Sequence, residues 1–204
     1  VDTQYDFMQP DGKLYVPEAE EIVPNIQKLI TTARGKSIKI LGSVDYHTES
    51  DAELSEEPDF KNTYPPHCLQ DSMGVEKITE TTPVNPFWIN SCPYPANELA
   101  AKTYQHPGEI YFRKQKFDVF TNPNVIPVLD IIKPHRIILF GVALDVCNAY
   151  AIEGFLKMQL GHIYLVKDAV KPINKEKGEQ LTEKWVNKGV ELKTTNDILE
   201  ELKN

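Results

Sequence analysis

The sequence predicts an α/β fold built on a parallel sheet covered by helices on both faces. Two observations predict it. The run HRIILFGVAL, around Arg136 to Gly141, is continuously apolar and of strand length, as a strand buried on both sides must be. From there to the end, strand and helix signals alternate at the spacing of βαβ units.

Each element follows from local chemistry. After the apolar strand, Asp145 is placed to cap the helical stretch AYAIEGFLKMQLG, whose apolar residues recur every three to four positions and which ends near Gly161. HIYLVKD reads as a strand, Asn174 to Lys188 as a helix, GVELKT as a strand, and Asn196 opens a last helix. In the first half, Pro17 to Arg34 reads as a helix with Pro17 near its first turn and Gly35 closing it. SIKILGSV (37–44) and EIYFRK, ending at Lys114, read as strands, and Asp2 ends a presumed first strand whose earlier part would precede Val1. Between 45 and 108 regular patterning fades and prolines accumulate. One domain over 1–204 is expected, with an insertion or lid at about 75–108.

Composition narrows the function. The net charge is −8 with scattered basic residues, which argues against a nucleic-acid surface. No apolar run reaches the roughly 18–20 residues of a membrane span. Three cysteines in unrelated contexts, Cys68, Cys92 and Cys147, form no disulfide framework and point to a reducing compartment, the cytoplasm.

In open parallel sheets, residues at the carboxyl ends of strands gather along one edge. Asp2, Lys114 and Cys147 all fall there, Cys147 in the first turn of a helix. A helix start and a nearby ammonium would lower a thiol pKa. A carboxylate within reach could take the thiol proton, and the N–H groups of Ala143 and Cys147 could receive an oxyanion. Taken singly, each residue has a plainer reading: a small buried hydrophobe, a turn carboxylate and a solvated lysine. Asp45-Tyr46-His47 follows the second strand, where a carboxylate and an imidazole two residues apart can face one cation; a turn and a surface histidine is the alternative.

Three strings carry a resemblance. VDTQYDF, RKQKFDVF and GVALDVCNAYA resemble, in that order, the motifs of the isochorismatase-like cysteine hydrolases. The resemblance implies a three-layer α/β/α domain with a mostly parallel sheet of about six strands. It also implies Asp2 as general base, Lys114 as catalytic lysine, Cys147 as nucleophile, and a cis Val142–Ala143 bond that helps shape the oxyanion hole. Leu144, Asn148 and Tyr150 depart from the family pattern at positions expected to border the pocket.

Within that superfamily the chain is most similar to nicotinamidases, which share D-x-H and PPHC. That likeness implies Asp45, His47 and His67 as ligands of one divalent ion (zinc, iron or manganese), with no organic cofactor. The ion would orient a pyridine-ring nitrogen beside the nucleophile. Glu53, Glu56 and Glu57 are options for a fourth ligand, Glu53 by spacing. Phe7 and Tyr64 would flank a flat ring, and Val142 would border it. LQDSMG departs from the usual loop at Asp71 and Ser72, and the interval from His67 to Lys114 is long. Its extra residues include Phe87, Trp88, Cys92 and Tyr94.

The expectation is therefore a cytoplasmic amide hydrolase of pyridine nucleotide salvage, converting nicotinamide to nicotinate and ammonia. Its partner is a small amide, not nucleic acid or membrane, and homo-oligomerisation is left open. Another amidase of the superfamily, acting on a carbamoyl, ureido or aryl amide, is the first alternative. An inactive metal- or partner-binding relative is the second.

Overall fold

The computed structural model describes residues 1–203. A short helix α1 (Tyr5–Met8) follows the amino-terminal segment. A 3₁₀ turn (Ala19–Ile22) then leads into α2 (Val23–Gly35), so the helix starts later than expected, with Pro24 rather than Pro17 in its first turn. Next come β1 (Leu41–Asp45), β2 (Phe87–Ile89), α3 (Ala96–Gln105), β3 (Ile110–Lys114) and α4 (Val125–Ile132). The second half is β4 (Arg136–Val142), α5 (Cys147–Met158), β5 (His162–Lys171), α6 (Lys175–Val186), β6 (Glu191–Lys193) and α7 (Thr195–Glu201).

All pairings between these strands are parallel. The six strands form two three-stranded sheets, β1-β3-β2 and β4-β5-β6, rather than one six-stranded sheet. Among the described residues, the segment Val1–Asp2 joins them, with Asp2 at φ +43°. Val1 N donates to Phe140 O and Asp2 N donates to Ser43 O.

Two apolar clusters mark the helical layers. Ile26, Leu29 and Ile30 of α2 and Ile198 of α7 pack with Val142 and Val166 on one side. Val128 and Leu129 of α4, Ile152 of α5 and Trp185 of α6 pack with Leu139 and Leu165 on the other. Leu165 and Val166 are sequence neighbours on opposite faces, as the two-residue period of a strand requires.

Two local expectations change. Asp145 does not cap α5; its carboxylate accepts the N–H groups of Ile173 (2.8 Å) and Asn174 (3.1 Å), tying the β4–α5 turn to the loop after β5. The region after 75 also has regular structure: β2 adds an edge strand beside β3, and α3 packs against α4.

Candidate active site

The carboxyl ends of β1, β3 and β4 supply the site. Parallel pairing places Asp45, the last residue of β1, directly beside Lys114, the last residue of β3. The amino-terminal segment lies between β1 and β4, which brings in Asp2. Cys147 is the first residue of α5, so its N–H has no acceptor within the helix. The Val142–Ala143 bond just before it is cis.

These groups converge. Lys114 Nζ lies 3.0 Å from Asp2 Oδ2 and 3.6 Å from Cys147 Sγ, and it also bonds Asp45 Oδ1. The Asp2 contact is an ion pair by distance, although Oδ2 accepts no well-directed hydrogen bond. Ser43 Oγ donates to Asp2 Oδ1 at 2.6 Å and fixes the carboxylate. Asp2, Asp45 and Cys147 each offer an atom within 4.8 Å of the others. All are buried.

Electrostatics decides the resting states. Burial works against the Lys114 charge, but the Asp2 and Asp45 carboxylates outweigh it and hold the ammonium well above the usual lysine range. For Cys147, burial pushes the thiol well above its ordinary value. Lys114 opposes this, and the two carboxylates reinforce it. The expectation of a lowered thiol pKa therefore does not hold. Cys147 rests as a thiol and needs a base at the moment of reaction.

Asp45 faces two ways. Its Oδ1 serves Lys114, while Oδ2 lies 3.4 Å from His67 Nε2 and 3.9 Å from His47 Nε2. Burial alone would raise its pKa, but Lys114 and His67 hold it well below the usual carboxylate range. His47 Nδ1 faces Asp51 Oδ2 at 3.1 Å, and His67 Nδ1 faces the Pro65 carbonyl at 2.8 Å. With an acceptor at each Nδ1, a neutral ring at either position carries its lone pair on Nε2. Burial works against a charged His67, but Asp45 outweighs it and raises the His67 pKa, so this ring must lose a proton to act as a ligand. His47 Nε2 is buried without a partner. Burial lowers the His47 pKa, partly offset by Asp45, which favours the neutral ligating form.

One carboxylate oxygen and two Nε2 atoms within 4.8 Å of one another thus fit a divalent cation, each imidazole oriented from behind. Replacing Asp51 with Ala should weaken divalent-ion affinity roughly 10–100-fold with the fold unchanged. Calorimetric zinc titration of the Asp51→Ala chain checks this.

Glu53 stands apart from that cluster. Its Oε1 accepts the Phe117 N–H at 3.0 Å, and burial pushes its pKa up to about 7. Glu56 and Glu57 are exposed.

A cavity of about 20 Å³ beside Cys147, room for about one water, is lined by residues including Phe7, Tyr64, His67, Phe117 and Ala143. Phe7 tilts against His67, with centroids 5.3 Å apart, and Tyr64 meets Phe117 edge-on at 5.4 Å. Val142 lies in the core, not on this wall. Leu144, Asn148 and Tyr150 do not line it either; Leu144 packs inward, Asn148 binds Gly141 O, and the half-exposed Tyr150 stacks on Phe117. No residue of 75–108 lines it.

Three contributors carry no role in the sequence reading. Ser43 is one and Asp51, four residues after His47, is another. The third is Gln4, whose side chain accepts the Asp45 N–H at 2.7 Å and donates to the Asp45 carbonyl at 2.8 Å. Gln4 lies inside the VDTQYDF string, so a signal was present; Asp51 is masked by the acidic loop around it.

The isochorismatase domain model matches residues 1–90. Solved structures extend the likeness over the whole chain. The pyrazinamidase of Pyrococcus horikoshii in complex with zinc aligns with TM-score 0.71 at 24% identity, covering 95% of each chain. Its fold is this one. The chain has the isochorismatase-like fold. Two further solved structures share the fold. The nicotinamidase of Bacillus subtilis gives TM-score 0.70 at 19% identity over 94% of each chain. The N-carbamoylsarcosine amidase of Thermoplasma acidophilum gives 0.70 at 21% identity, covering 95% of this chain and 92% of that one. No curated protein sequence matches the chain. Among the described residues, no helix is long and apolar enough to cross a membrane.

Proposed function

We propose that the chain is a cysteine-dependent amide hydrolase, with nicotinamide as the leading substrate. The observation that carries this reading is the meeting of Asp2, Lys114 and Cys147 around one buried point, with Asp45, His47 and His67 beside it. A shared fold would not suffice, since function resides in the site.

Asp2 takes the proton of Cys147 as Sγ bonds to the substrate carbonyl carbon. The N–H groups of Ala143 and Cys147 receive the oxyanion, and the Lys114 ammonium stabilises the negative charge building on sulfur. Asp2 returns the proton to the leaving nitrogen, the C–N bond breaks and ammonia departs. A water deprotonated by Asp2 then adds to the thioester carbonyl; the C–S bond breaks, the acid leaves and the thiol regains its proton. Asp45, His47 and His67 are the residues to hold a divalent ion, which would supply a Lewis acid beside the nucleophile.

A second reading, a carbamoyl or ureido amide, is supported by the likeness to an N-carbamoylsarcosine amidase. At about 20 Å³ the cavity admits neither a pyridine ring nor a carbamoyl amino acid unless Phe117 or other wall residues move, so its size does not choose between them. Ammonia release measured across nicotinamide, pyrazinamide, a carbamoyl amino acid and an aryl amide separates the two. Turnover of the pyridine carboxamides at kcat/KM at least tenfold above the rest supports the first reading. Preference for the carbamoyl compound replaces it with the second, and no ammonia from any of them sinks both.

A further inference from the structure

The cavity beside Cys147 continues outward into a run of aromatic rings that the catalytic steps do not use. Tyr64 and Phe117 line the cavity, and each touches a further ring that does not. Phe60 meets Tyr64 edge-on with centroids 6.0 Å apart, and Tyr150 stacks on Phe117 at 6.4 Å and 27°. Tyr64 and Phe117 meet edge-on in turn, so the four rings make one continuous surface. Its outer part is open to solvent. Phe60 is 64% exposed and Tyr150 46%, and Ile173, which lines the cavity as well, is 36% exposed. Single exposed apolar side chains are ordinary, but a contiguous group at the mouth of a site marks a contact surface.

The chain holds both outer rings in place. Tyr150 lies three residues after Cys147 in α5 and so shares its helix face. Phe60 sits in the loop between His47 and His67, in a turn closed by its own N–H on Thr63 O (3.0 Å). Asp59 Oδ1 accepts the N–H groups of Lys61, Asn62 and Thr63 at 2.7–2.9 Å and locks that turn. Phe60 has φ +53°, a conformation that bulky residues rarely adopt.

We propose that Phe60, Tyr64, Phe117 and Tyr150 form an outer subsite for an uncharged aryl group carried by the amide substrate, beyond the part that reaches Cys147.

The inference rests on the proposed amide chemistry and adds the class of amide. Size comes first. A cavity of about 20 Å³ has room for about one water, so most of any substrate lies against or outside its wall, where these rings are. Shape comes second. Rings set edge to face offer both a face to stack on and an edge to abut, which suits another flat ring. Charge decides against an acid. Among the described residues, no lysine or arginine lines the cavity, and Lys114 behind it is shared by Asp2 and Asp45. Burial, and after it the Asp145 carboxylate with Asp59 adding, pushes the Tyr64 phenol above its ordinary pKa. The same negative surroundings disfavour a substrate carboxylate, and with it a carbamoyl amino acid.

Binding tests this apart from turnover. The probes are nicotinamide, its phenyl derivatives substituted para or meta to the carboxamide, and the matching carboxyl derivatives. Calorimetry on the Cys147→Ala chain should show one phenyl derivative bound about tenfold more tightly than nicotinamide. Both carboxyl derivatives should bind at least tenfold more weakly than it. Adding Tyr150→Ala or Phe60→Ala should remove most of the phenyl gain, and Tyr150→Phe should keep it. In the unaltered chain the gain should appear in KM rather than kcat. No gain from phenyl at either position overturns the inference, as does a gain that survives in both alanine variants. Concentration-dependent association that buries Phe60 and Tyr150 also overturns it, by assigning the rings to a second copy. Ammonia from nicotinamide without any phenyl gain leaves the amidase reading standing and removes only the subsite. A phenyl gain lost in the alanine variants, with no ammonia from any amide, keeps the subsite and removes the amidase reading.

Discussion

Replacing Cys147 with Ala should abolish ammonia release from the best amide substrate, with a loss of about 10⁴-fold or more in kcat. Covalent nucleophiles that act as a unit with their base lose nearly all catalysis when removed. Cys147 is buried and its thiol sits well above the ordinary range, so sulfur becomes nucleophilic only as Asp2 takes its proton. The same dependence predicts that Asp2→Asn loses nearly as much, and that the double variant is scarcely worse than either single one. Three measurements together decide the matter: turnover, urea midpoint and zinc affinity. Loss of turnover with the other two unchanged assigns Cys147 to the chemistry. Turnover retained in Cys147→Ala would rule out a thioester route.

Much of this arrangement was legible before the fold was known, and what escaped did so for identifiable reasons. Buried strands announce themselves by continuous apolar runs, so β4 and β5 were readable. Helices with one apolar stripe, such as α5 and α6, were readable too. By contrast α4 carries Pro127 within VIPVLDII, a signal that argues against a helix, yet early in a helix a missing N–H costs no bond. β2 has three residues, too few to establish a period.

The site divides along the same line. Residues at strand ends and helix starts (Asp2, Asp45, Lys114, Cys147) could be placed by topology alone. Their supports could not. Whether Ser43 faces Asp2 depends on the register between two segments 41 residues apart, and whether Asp51 rather than Glu53 meets His47 depends on a loop's path. The state of the thiol was misjudged for a related reason. The charge nearest in kind, Lys114, was foreseen, but the depth of burial and the second carboxylate, Asp45, outweigh it. The division into two sheets was invisible because the patterns of β1 and β4 are those of interior strands, and each reads as if paired on both sides.

Lys114→Met should destabilise the fold by about 3–5 kcal/mol as well as remove activity, because it leaves buried carboxylates without their counter-charge. Lys114 Nζ is the cation that Asp2 and Asp45 share, and all three side chains are at most 2% exposed. For a chain of this size that loss corresponds to a Tm lower by roughly 6–20 °C. Methionine keeps most of the aliphatic volume, so the effect isolates the charge from the packing. Introducing Asp2→Asn into the Lys114→Met chain removes one stranded carboxylate. Stability should then recover by at least 1 kcal/mol relative to the single variant, although Asp2→Asn alone destabilises. Urea unfolding of the four chains of that cycle measures the coupling. Additive losses would show that Lys114 does not neutralise Asp2 in the folded protein, and the ammonium would then have to act on Cys147 without the shared pairing. A coupling of opposite sign to simple addition ties the stability of the fold and the chemistry of the nucleophile to the same buried charge.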